Sequence, residues 1–113
     1  MYAFEIPGQR FSLPAGAAIE RCRFVSVNAN SAGIPATGAT PVIGVSMNKV
    51  AIDQVLEIAD GIVVVEAGAA VTAGAAVYAN AEGKAVTTAG TAGVAGIAIT
   101  GATATGELIT VKI

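Results

Sequence analysis

An internal repeat constrains this sequence more than any other feature, because a chain that repeats itself is expected to fold as two similar units. Residues 71–78, VTAGAAVY, resemble residues 13–20, LPAGAAIE. Three further pairs of segments match in the same order: 29–33 with 79–83, 42–47 with 94–99, and 55–58 with 108–111. We therefore predict two copies of one unit, at about 13–60 and 61–113, that join near Asp60.

The repeated segments have the pattern of strands. The segments that close the two copies, VLEI and LITV, alternate in-facing and out-facing positions, and the run GIVVV at 61–65 is typical of a strand in the middle of a sheet. Residues 48–60 also fit an amphipathic helix, but their β-branched counterpart at 108–113 favours a strand after one short helical turn. The predicted fold is all-β: a compact β-sandwich or barrel-like domain built from two tandem similar β-units, with at most short helical turns.

The two copies differ most at residues 19–28, IERCRFVSVN, because the spacing of the repeat falls from 58 to 50 residues there. We interpret this segment as an added strand. On a strand, one face carries every second side chain; these are Arg21, Arg23, Val25 and Val27. Arginines on such a face are usually solvated or ion-paired, and an acidic partner surface is the alternative. We predict that this face contributes to self-association.

The first residues are predicted to form an extended arm, 1–12, ahead of a single β-domain at 13–113. Tyr2, Phe4 and Ile6 alternate with smaller or polar residues, as on a strand with its aromatic side chains on one side. Two arrangements fit this pattern: the arm pairs inside the fold, or it reaches a neighbouring molecule.

The surface is expected to be poor in charge. Only 12% of the residues are charged and 54% are hydrophobic, with no Trp, whereas about 25% are charged in a typical soluble domain. An isolated monomer would expose Gly, Ala, Thr and Val over much of its area, and large exposed apolar patches usually mark an interface. A surface made polar by Thr, Ser and Gly without charge is the alternative.

Several classes of function are disfavoured. The chain has no His and one cysteine, Cys22, which disfavours His-dependent nucleophilic catalysis and a structural zinc site. The acidic residues are scattered, and the glycine-bounded segment 101–106 lacks the Lys of a phosphate-binding loop. The net charge of −2, without a basic cluster, disfavours nucleic-acid binding. We expect no catalytic residues, metal, cofactor, small-molecule substrate, membrane span or secretory signal.

Four segments of the second half carry a family resemblance: 71–79 after Thr-Ala-Gly, 82–87 (EGKAVT), 93–99, and 106–113 (GELITVKI). With them the chain resembles the small capsid cement, or head decoration, proteins of tailed bacteriophages. The resemblance implies a non-enzymatic structural protein that is made in the host bacterial cytoplasm. It also implies binding to the outer surface of the virion capsid as homotrimers that hold the major capsid protein lattice together. The expected capsid contacts are Tyr2, Phe4, Arg10 and Phe11.

Two other functions stay open. One is another virion β-domain, such as a head-fibre or tail component. The other is a lipoyl-type carrier, because such domains also have two similar β halves and Lys49 lies at a predicted turn, although it is not placed between two Met residues as these carriers prefer.

Overall fold

The computed structural model describes residues 5–28, 31–33, 41–89 and 93–113, and this part of the chain contains nine strands and no helix. The all-β prediction is confirmed. The strands are β1 (Ile6–Pro14), β2 (Phe24–Asn28), β3 (Ser31–Gly33), β4 (Gly44–Ser46), β5 (Val55–Glu66), β6 (Ala76–Ala79), β7 (Ala85–Val86), β8 (Gly96–Ala98) and β9 (Leu108–Lys112).

The strands form one antiparallel, nearly closed, barrel-like sheet around β5. The order is β3-β2-β4-β5-β9-β8-β6-β7, and β1 also pairs with β5. The first half of β5 pairs with β1 and β4, and its second half pairs with β9. Between the halves lies Gly61, with φ of 91°. A Cβ there would lie 2.5 Å from the backbone N of Gly8, so only glycine allows β1 to cross so closely.

Backbone pairing confirms two similar β-units and shows how they correspond. Ser46 pairs with Ile58 in the first unit, and Ala98 pairs with Val111 in the second. Ser46 and Ala98 are 52 positions apart, and Ile58 and Val111 are 53 apart. A similar offset between paired positions makes β2 of the first unit equivalent to β6 of the second, and β1 equivalent to the second half of β5. We call residues 10–59 the first repeat and 62–112 the second repeat.

The structure corrects the alignment of the early part of the repeat. Ile19 pairs with Val50, and Val71 pairs with Ala102 in the equivalent bridge, so Ile19 corresponds to Val71 and not to Val77. The sequence AGAA occurs at both 67–70 and 73–76, and the first of these, not the second, is the counterpart of 15–18. Residues 19–28 are therefore not an added strand, because β2 has its counterpart in β6. The predicted match of 29–33 with 79–83 begins at residues outside the described part of the chain.

Left-handed backbone positions support this correspondence. Cys22, with φ of 64°, is equivalent to Gly74, with φ of 89°. Both donate a backbone hydrogen bond to the middle strand of their repeat, Cys22 to Ser46 O at 3.0 Å and Gly74 to Ala98 O at 2.7 Å. Residues with a side chain rarely adopt a positive φ. The shared left-handed conformation of Cys22 and Gly74 therefore shows that the turn itself is repeated.

The hydrophobic interior has two clusters. The smaller lies inside the first repeat and contains Ala15, Ile19, Val25, Val50, Leu56 and Ile58. The larger contains the equivalent positions of the second repeat, and Phe24, Val45 and Ala59 of the first repeat pack into it. Phe24 and Val25 are both 0% exposed, so β2 buries opposite faces in different clusters. The second repeat thereby covers one face of the first.

Candidate functional site

A cluster of charged side chains joins the two repeats. Glu66 lies between two cations: its Oε1 is 3.2 Å from Nη2 of Arg23 and its Oε2 is 3.1 Å from Nζ of Lys84. The three side chains are only 16–23% exposed. Backbone bonds run beside them, from Glu66 N to Cys22 O at 3.0 Å and from Phe24 N to Gly83 O at 2.7 Å. The cluster therefore fixes the first repeat against the β6–β7 hairpin of the second.

The ionisation of Glu66 reflects these partners. Burial opposes its charge, but hydrogen bonds from Lys84 and Arg23 hold the pKa of Glu66 below its ordinary value of 4.5. Nη1 of Arg23 also donates to Glu82 O at 3.2 Å. Nε of Arg23 is buried with no hydrogen-bond partner in the described part of the chain. The arrangement is that of a structural ion cluster.

The predicted capsid contacts lie on and before β1. Arg10 is at the surface, where its Nη2 is 2.9 Å from Oε1 of Glu57. Phe11 is 39% exposed and pairs across the strands with Ile58. As neighbours on a strand, Arg10 and Phe11 project to opposite sides. Tyr2 and Phe4 lie outside the described residues.

The four residues predicted for self-association do not form one exposed face. Val25 is 0% exposed inside the smaller cluster, and Arg23 is engaged by Glu66. Arg21 precedes β2, and its Nε donates to Met47 O at 3.2 Å. Val27 is 42% exposed. The alternation predicted from Arg21 to Val27 fails because the chain bends at residues 21–22, with a left-handed Cys22, before β2 begins.

Other exposed apolar side chains were not predicted as contacts. They are Ile6, Ile52, Val55, Val94, Ile97, Ile99 and Leu108, each at least 38% exposed. For some of these residues, the sequence pattern indicated that the exposed side of the strand is also suited to burial. Around β8, Ile97 and Ile99 alternate with the buried Gly96 and Ala98, so this strand has no polar side, whereas on β9 the side of Leu108 also carries Thr110 and Lys112. Apolar residues on both sides indicate a strand that is covered on both faces.

The described residues contain no clustered metal ligands, and their one thiol is buried. They contain no group of three or more His, Cys, Asp or Glu side chains that could hold a metal ion. Cys22 is buried, which raises the pKa of its thiol and disfavours the reactive thiolate. A search of the same residues finds no helix of the length and hydrophobicity that crossing a membrane requires.

Comparison with known proteins places this architecture in a family. The family model described as phage cement protein matches residues 7–113. The chain belongs to the phage cement protein family. This confirms the resemblance seen in the sequence, and it identifies a structural protein of the phage virion that associates with the capsid.

A solved structure shares the fold of this phage cement protein. It is the N base of head fibre gp8.5 of bacteriophage phi29, with a TM-score of 0.78 and 20% sequence identity. The match covers 93% of this chain and 92% of that one. At this identity the similarity concerns the fold. The curated proteins contain no match to the chain.

Proposed function

We propose that this phage cement protein binds the outer surface of the assembled capsid as homotrimers and stabilises the lattice of the major capsid protein without catalysing a reaction. Membership of the family over residues 7–113 carries the proposal. A surface with several exposed aliphatic side chains supports it, since such side chains are suited to a stable protein interface. Binding the assembled lattice and not its free subunits would stabilise the lattice by mass action.

The capsid contact is proposed to include Arg10 and Phe11, together with Tyr2 and Phe4. Residues 6–14 belong to β1, whose pairing with β5 includes Ile6 with Ile62 and Arg10 with Ala59. Deletion of residues 1–10 would remove part of this strand. Point substitutions at Arg10 and Phe11 therefore test the contact with less damage to the fold.

The experiment is co-sedimentation with expanded capsids prepared without this protein. Arg10→Glu should weaken binding at least about tenfold if Arg10 contacts the capsid. Lys49→Glu is the matched control, because Lys49 is 75% exposed and has a similar ion pair, to Glu20 at 3.4 Å. If wild-type protein neither binds these capsids nor raises the temperature at which they break open, the proposed function is wrong. If both variants bind equally well, the role of Arg10 is wrong.

The fold similarity favours one second candidate, the base of a head fibre, because the shared structure is itself such a base. A fibre base also binds the capsid, but it carries a projecting structure. Electron microscopy of capsids with bound protein separates the two functions: a cement protein adds compact density, whereas a fibre base anchors an elongated projection.

A further inference from the structure

The second repeat has an apolar outer face. We define it by side chains on the same side of β5, β9 and β8, as their cross-strand pairs require: Ile62, Val64, Glu66, Ile97, Leu108, Thr110 and Lys112. Ile99 follows Ile97 on the same side by the two-residue period of a strand. Ile97 is 45% exposed, Ile99 38% and Leu108 46%. Ile6, which pairs with Ile62, extends the face and is 63% exposed. Its charged members are Lys112 and Glu66, which pairs with Leu108, and Val64 and Thr110 are buried within it.

The first repeat has the same face with different chemistry. Much of its exposed part is polar: Arg10 and Glu57, equivalent to Ile62 and Thr110, form an ion pair at 2.9 Å. Val55, equivalent to Leu108, is an exposed apolar exception. Ser12, equivalent to Val64, is exposed. The repeat therefore provides an internal control, since one backbone position carries a polar residue in the first copy and a less polar residue in the second.

Part of the apolar area on this face of the first repeat is covered. Val45 and Ala59, equivalent to Ile97 and Lys112, are 1% and 0% exposed in the larger cluster. The second repeat of the same chain covers them. The outer face of the second repeat carries aliphatic side chains like those of this covered region. The described residues bury Val45 almost completely but leave its equivalent, Ile97, 45% exposed.

We propose that a second copy of this chain covers the outer face of the second repeat. The first repeat shows what fits this kind of face: a β-unit of this same chain. A second copy supplies such a unit, and burial of Ile97, Ile99 and Leu108 would favour its association. The inference rests on the self-association included in the proposed function. It assigns that association to the outer face of the second repeat and not to residues 21–27, which the sequence had predicted for it.

The experiment measures molar mass by sedimentation velocity over a range of protein concentrations. Ile97→Lys and Leu108→Lys should each weaken self-association at least about tenfold, because either places a second cation at a face that is to be buried. Val55→Lys is the matched control: Val55 is the first-repeat equivalent of Leu108 and is 64% exposed. Circular dichroism checks that each variant is folded, and Ile97→Thr is the milder substitute should a lysine variant unfold.

The outcomes are distinct. An oligomeric wild type with dissociated Ile97→Lys and an oligomeric Val55→Lys supports the inference. A wild type that is monomeric at every concentration overturns it, although capsid binding can still hold in the co-sedimentation assay. An oligomeric Ile97→Lys overturns the assignment of the face while self-association stands. If that variant also fails to bind capsids, the face binds the capsid protein instead.

Discussion

Replacement of Glu66 by Gln tests whether the ion cluster holds the two repeats together. Gln keeps the size of the side chain but removes the charge that Arg23 and Lys84 share. Each charge-assisted hydrogen bond contributes about 1.5–3 kcal/mol. The distances of 3.2 and 3.1 Å are longer than the shortest such bonds, and Gln retains a neutral acceptor, so we expect a loss of about 2 kcal/mol of unfolding free energy.

The assay is urea unfolding at a fixed protein concentration, because self-association would itself add to stability. For a chain of this length, the expected loss also lowers the melting temperature by about 8 °C. Glu57→Gln is the matched control. It breaks an ion pair with Arg10 whose side chains are 51% and 44% exposed, and exposed pairs contribute about 0.2–1 kcal/mol.

The pH dependence gives an independent check. Because the folded-state pKa of Glu66 lies below 4.5, its ionised form stabilises the fold above the pKa of the unfolded chain. That stabilisation is lost as the pH falls through the lower, folded-state pKa. Wild-type protein should therefore lose more stability on acidification than Glu66→Gln. If the two proteins lose equal stability, or if Glu66→Gln costs no more than Glu57→Gln, the cluster does not join the repeats as argued.

Three further predictions concern local structure. Gly44→Ala and Gly96→Ala should each cost about 1–3 kcal/mol in urea unfolding, because an added Cβ would lie 2.7 and 2.6 Å from a carbonyl oxygen of the neighbouring strand; near-neutral variants would contradict this. Gly106→Asp should be at least about 1 kcal/mol more stable than Gly106→Val, because its first-repeat equivalent, Asp53, has φ of 69°; equal stability would argue against the equivalence. Alkylation of Cys22 by iodoacetamide, followed by intact mass, should be at least about tenfold slower in folded than in unfolded protein, and equal rates would show that the thiol is accessible.

The sequence predicted the class of fold because strand patterns and the later parts of the repeat are specific. The matches of 42–47 with 94–99 and of 55–58 with 108–111 agree with the pairing of β4 with β5 and of β8 with β9. The turn between β6 and β7 also fits its sequence, because Gly83 has φ of 78° there. The early part was misaligned because AGAA occurs twice within ten residues, and composition does not distinguish the two matches. The backbone hydrogen bonds distinguish them, because Ile19 pairs with Val50 as Val71 pairs with Ala102.

The interaction surfaces were harder to predict, for a related reason. The period of a strand assigns residues to alternate sides, but it does not show which side another part of the chain covers. Val45 and Ile97 are aliphatic residues at equivalent positions, yet one is 1% exposed and the other 45%. The difference arises because the second repeat covers Val45, whereas no described residue covers Ile97 to that extent. Evidence for a partner therefore lies in how equivalent positions of the two repeats differ, more than in the average composition of the surface.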